Sequence, residues 1–233
     1  VQRRPRHVRR NAVQPDATQR HTSREHPPVD EGWDTDGDGA TLCDDRGMVS
    51  FFLTHAEVVV APAEPIESWG LSGDGRARAE RAADVAWRPG VTRIVSSTER
   101  KAIETAEILG AAVGSVPERD ADLGEIDRSA TGYLPLDEFE TVVDDFFAHP
   151  GRSVRGWERA VDAQDRIVRA VRRLTAAGDV TIVSHGAVGA LLLADLRRAP
   201  VSRALDQPGM GSVFTVDAAA WTATSSWVRV PPR

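Results

Sequence analysis

The 233-residue chain holds one cysteine, and of its 29 basic residues only Lys101 is a lysine. The lone thiol, Cys43, can neither close an intramolecular disulfide nor build a cysteine-rich zinc site. A reducing compartment is therefore expected, and any metal would need histidines and carboxylates. No apolar run reaches the roughly 18 residues of a membrane span, and the Arg-rich start lacks the apolar stretch of a signal peptide. With a formal net charge of −6, the chain offers no basic field for nucleic acid or an anionic membrane. The expectation is a soluble, cytoplasmic protein with neither nucleic-acid nor membrane partners.

What the chain does contain is unevenly spread. Residues 1–47 carry ten apolar residues in no period; residues 1–24 hold seven arginines against Asp16 alone, and residues 25–45 hold eight acids with no Lys or Arg. Like-charge blocks without a core read as a solvated tail. The folded domain is therefore expected over residues 48–233. Met48, directly before the apolar run Val49-Ser50-Phe51-Phe52-Leu53, is expected to be the true start, with residues 1–47 a disordered tail or a mis-assigned upstream extension. Asp34, Asp36, Asp38 and Gly39, with Asp45 at the twelfth place, match the spacing of a calcium loop. The His26-Pro27-Pro28 flank cannot supply its entering helix and the twelfth ligand is the shorter Asp, so no metal is assigned there.

After Met48, short β-rich runs alternate with helical patterns, the signature of βαβ units and a mostly parallel sheet between helices. Strands are expected at 49–54, 92–97 and 180–184, with closing strands within 211–230. Ser72 is a candidate N-cap for a helix over 73–86. A second helix is expected from Glu99 to Leu109, with Gly110 as its stop, a third from about Pro135 to residue 149, a fourth over 154–177 and a buried one over 188–196. The fourth turns its arginines outward. The third, with Phe139, Phe146 and Phe147, is the expected lid over the site.

Three histidines follow Met48: His55, His149 and His185. Two share a position, since His55 ends the run VSFFLT and His185 ends TIVS. In open α/β sheets ligands bind at the carboxyl ends of strands, so both imidazoles are expected in one crevice. The run RIVSS ends likewise and leads into Thr98, Glu99, Arg100 and Lys101. Two imidazoles, hydroxyls and an ammonium suit an anion such as phosphate, with one imidazole as nucleophile. His149, before Pro150, reads as a loop residue.

In these motifs the chain resembles the histidine phosphatase superfamily, the phosphoglycerate-mutase-like enzymes, over about residues 49 to 200. The family opens with Arg-His-Gly-Glu after a strand, where this chain has Thr54-His55-Ala56-Glu57. Its Leu-Ser-x-x-Gly-x-x-Gln-Ala is met by Leu71-Ser72-Gly73-Asp74-Gly75-Arg76-Ala77-Arg78-Ala79. Its Ser-Ser-Pro-x-x-Arg-Ala-x-x-Thr-Ala is met by Ser96 to Ala106, its Leu-x-Glu by Leu123-Gly124-Glu125, and its closing Val-Ser-His-Gly by Val183 to Gly186. The resemblance implies a three-layer α/β/α domain. It also implies a metal-independent phosphomonoester hydrolase, needing no cofactor, in which His55 becomes a phosphohistidine, His185 stabilises the transferring phosphoryl group, and Glu125 protonates the leaving oxygen and then activates water. A small phosphorylated substrate is the implied partner.

Two departures bear on activity. Thr54 stands where the family's first phosphate-gripping Arg would be, and Lys101 stands for the second, a point charge without the planar fork. Arg128, three residues past Glu125, is the expected replacement cation, with Arg100 second, so the expected phosphate-binding set is Thr54, Lys101 and Arg128. The alternative is a pseudophosphatase that binds a phosphorylated ligand with little or no turnover.

Overall fold

The computed structural model describes residues 49–85 and 91–231. The charged tail, Met48 and the calcium-loop spacing lie outside the described residues.

Strands β1 (Val49–Thr54), β2 (Ile94–Ser96), β3 (Glu118–Arg119) and β4 (Thr181–Ser184) pair in parallel. Antiparallel pairing then adds β5 (Ser212–Asp217), β6 (Thr222–Ala223) and β7 (Val228–Arg229). The sheet order is β3-β2-β4-β1-β5-β6, with β7 also on β5. Successive residues of a strand face opposite layers, and here both layers are apolar. Leu53, Ile94 and Val183 pack on one side against helices α1 (Gly73–Val85) and α2 (Arg100–Val113). Phe52, Val95 and Ile182 join the core on the other side with α3 (Leu136–Ala148), α4 (Ala160–Thr175) and α5 (Gly186–Leu196). This is the expected α/β/α arrangement, and it explains why the central strands read as continuous apolar runs.

The helices follow the sequence pattern with instructive exceptions. Ser72 caps α1 as expected, its Oγ accepting the Gly75 N–H at 3.0 Å. Gly110 does not stop α2, which continues to Val113 and ends at Gly114 in the left-handed conformation, φ 67°. Gly110 is small for packing instead, since a Cβ there would lie 2.5 Å from the Ser115 carbonyl oxygen. α4 begins at Ala160 rather than 154, because Arg155 and Gly156 adopt positive φ and the chain turns. Trp157 keeps its helical spacing by coincidence: it is buried beside Phe139 and Phe146, and its indole N–H donates to Thr131 Oγ1 at 2.8 Å. α5 starts two residues before the expected 188, at Gly186. The expected lid is anchored, with Phe146 and Phe147 of α3 in the core and only Phe139 partly buried. No helix among the described residues is long and apolar enough to cross a membrane.

Candidate active site

The register of the central strands builds the site. Thr54 lies opposite Ser184 across β1 and β4, so His55 and His185 leave the sheet side by side. The His55 N–H donates to the Ser184 carbonyl at 3.0 Å, and the ring centroids are 5.2 Å apart. β2 lies on the other side of β4, and the Ser97 N–H donates to the Val183 carbonyl. That bond brings the Ser97 to Lys101 segment to the same edge. His55, Glu99, Lys101, Glu125, Arg128 and His185 all line one cavity of about 200 Å³.

The state of His55 follows from its partner. Nδ1 lies 2.8 Å from the Ala56 carbonyl, which can only accept, so Nδ1 carries the proton and Nε2 keeps its lone pair. Burial, aided by Lys101, holds its pKa down at about 4. The ring is therefore neutral near pH 7 and oriented with Nε2 as a free base or nucleophile.

His185 is fully buried. Its Nε2 meets Ser97 Oγ at 2.7 Å and Glu99 Oε1 at 3.2 Å, while Nδ1 is buried without a partner. Burial pushes the His185 pKa well below its usual value, although Glu99 opposes the shift. Burial also opposes ionisation of Glu99, but His185 and Lys101 outweigh it and hold that carboxyl near 2. The other Glu99 oxygen pairs with Lys101 Nζ, which also donates to the Ile66 carbonyl at 2.9 Å.

Glu125 sits across the cavity at the start of α5. Its carboxylate accepts the N–H groups of Ile126 at 3.0 Å and of Ala187 and Val188 at 3.2 Å. Burial, with Glu99 nearby, nevertheless raises its pKa above the usual carboxylate value. The side chain can therefore keep a proton closer to neutral pH, as a general acid must. Arg128 reaches the cavity, and its guanidinium carbon is 4.9 Å from the centroid of the Phe139 ring. Thr54 does not reach it. Its hydroxyl is spent on β5 and on the loop before it, accepting the Ser212 N–H at 3.0 Å and donating to Gln207 Oε1 at 2.5 Å.

Sequence reasoning missed three residues that shape this site. Gln207 presses against the first residue of α5, where a Cβ on Gly186 would lie 2.4 Å from its Nε2. A side chain after His185 would have to displace the Gln207 amide. Arg166, read as outward, turns back from α4. It donates to the carbonyls of Asp122, Gly124 and Glu125 at 2.8 to 3.1 Å while paired with Glu158, and so fixes the loop that carries Glu125. Glu99 was read only as a rim residue. Glu57, in the first motif, holds the fold by pairing with Arg78 and Arg229.

Comparison with known proteins identifies the family and the fold. The model of the histidine phosphatase superfamily (branch 1) matches residues 66–225. A mycobacterial glucosyl-3-phosphoglycerate phosphatase superposes with a TM-score of 0.68 at 24% identity, covering 79% of this chain and 100% of that one. The same phosphatase in complex with VO3 gives a TM-score of 0.64 at 26% identity, covering 73% and 93%. YhfR of Bacillus stearothermophilus gives 0.60 at 24% identity, covering 78% and 95%. A search of curated proteins finds no match.

Proposed function

Because the chain belongs to the histidine phosphatase superfamily and is a phosphatase of that family, we propose that it hydrolyses a small phosphomonoester through a phosphohistidine on His55. The observation that carries this reading is the Nδ1 bond to the Ala56 carbonyl, which leaves a bare Nε2 beside His185. Nε2 attacks phosphorus, the P–N bond forms as the ester P–O bond breaks, and protonated Glu125 gives its proton to the departing oxygen. Water then attacks the phosphohistidine, Glu125 takes the water's proton, and inorganic phosphate leaves with the P–N bond broken.

Phosphoryl transfer needs in-line positioning and neutralised oxygens more than further covalent help. Lys101 and Arg128 supply that neutralisation without a metal or cofactor, and the neutral His185 ring contributes a hydrogen bond. Thr54 acts indirectly, by holding Gln207 against the start of α5. The compartment we assign is the reducing cytoplasm, on composition alone. The mycobacterial relative solved with VO3 is named for a glucosyl phosphoglycerate, and that compound belongs in any substrate panel.

The test is such a panel on the full chain between about pH 5 and 8, with His55→Ala as control. Hydrolysis lost in the variant supports the reading. Hydrolysis retained by His55→Ala refutes it, and phosphate binding without hydrolysis of any ester favours the pseudophosphatase.

A further inference from the structure

Every donor that Glu99 engages is one a bound phosphoryl group could use. Its Oε1 accepts the Glu125 N–H at 2.9 Å and lies 3.2 Å from His185 Nε2, and its Oε2 takes Lys101 Nζ. Glu125, meanwhile, occupies the first N–H groups of α5. The donor set at the strand ends is therefore already satisfied by the protein's own carboxylates. Helix capping does not explain where Glu99 points: it precedes α2 with extended backbone, and its side chain makes no cap hydrogen bond. With its pKa near 2, the carboxylate stays charged throughout the working range, so protonation does not release it.

We propose that Glu99 is a built-in competitor for phosphate, whose carboxylate fills the anion site of the free protein and must swing away before a phosphoryl group enters. This rests on the phosphatase reading and adds a specificity device to it. Apart from Arg128, bare phosphate has only the contested donors to bind, so it is held weakly and released readily as product. An ester can draw on contacts between its leaving group and the cavity mouth, where Glu67, Asp127 and Arg128 lie, and can spend that binding on displacing Glu99. Lys101 remains anchored by the Ile66 carbonyl when Glu99 leaves. The site therefore favours phosphomonoesters with a substantial, polar leaving group over inorganic phosphate.

The experiment is calorimetric titration of the full chain, as wild type, Glu99→Gln and Glu99→Ala, with inorganic phosphate and with vanadate. Circular dichroism confirms that each variant is folded. Removing the charge while keeping the shape should tighten phosphate binding at least tenfold in Glu99→Gln, and Glu99→Ala should bind at least as tightly as that. Binding equal to or weaker than wild type in both folded variants would overturn the proposal and leave Glu99 as a residue that positions Lys101 and His185. Such a result leaves the phosphatase reading standing. No binding by any of the three proteins also overturns the proposal, and the ester panel then decides the phosphatase reading separately.

Discussion

The depressed pKa of His55 makes a prediction about stability that needs no substrate. The folded protein holds this imidazole at about 4 against an unperturbed 6.5, chiefly by burial. Between those values the unfolded chain binds the proton and the folded one does not. Stability present above pH 6.5 is thus lost as pH falls towards 4. The full shift corresponds to about 3 kcal/mol, of which about 2 kcal/mol is lost between pH 7 and pH 5. Burial lowers the His185 pKa too, adding a loss of the same sign, whereas the raised pKa of Glu125 works the other way. A variant isolates the His55 share. His55→Asn keeps a donor near the Ala56 carbonyl but does not titrate, so its urea-denaturation stability should fall less steeply with acid than that of wild type. The gap between the two proteins should shift by about 2 kcal/mol in favour of the variant from pH 7 to pH 5. Parallel stability curves over that range would refute the claim that burial depresses the His55 pKa.

Other perturbations probe other parts of the site. Arg128→Ala removes a cation that lines the cavity and should cost about ten- to a hundredfold in kcat/KM for phosphomonoesters, the value of a charge-assisted hydrogen bond; unchanged turnover and affinity would reject its phosphate role. Glu125 must be protonated to act as the acid, so kcat/KM should fall as pH rises past its raised pKa. Glu125→Gln should lose that limb, and should lower kcat/KM for alkyl phosphates far more than for p-nitrophenyl phosphate, whose leaving group needs no proton. An equal drop in kcat/KM for both would argue against the acid role. Gly186→Ala places a Cβ 2.4 Å from Gln207 Nε2, so the Gln207 amide must move off the start of α5 and release Thr54, and thermal denaturation should show a loss of at most about 1 kcal/mol; a loss well above that would mean that Gln207 is fixed in place.

The layers and the two histidines were legible because strand periodicity and strand ends are local properties. Phe52 and Leu53, Val95 and Ile94, and Ile182 and Val183 divide between the two cores as alternation requires. His55 and His185 meet because each follows the last residue of its strand in a parallel pair. What sequence did not disclose depends on contacts between distant segments. Thr54 looked like a weaker phosphate ligand, but its hydroxyl is claimed by Gln207 and Ser212 more than 150 residues away. Arg166 looked like a solvent-facing arginine until the Glu125 loop was packed over it. Glu99 occupies a variable place in its motif, and only the approach of β4 and the Glu125 loop shows what its carboxylate does. The expected lid failed for a related reason: the apolar residues of α3 were read correctly as a face, but that face is buried in the core beside Trp157.

The central claim is that His55 carries the phosphoryl group. The most direct measurement is rapid acid-free quenching of the full chain during turnover of a phosphomonoester, followed by mapping of the acid-labile phosphate by mass spectrometry. The account predicts phosphate on the peptide that contains His55, at Nε2, and none in His55→Ala. Hydrolysis with no labelled histidine, or a label that persists in His55→Ala, would contradict it.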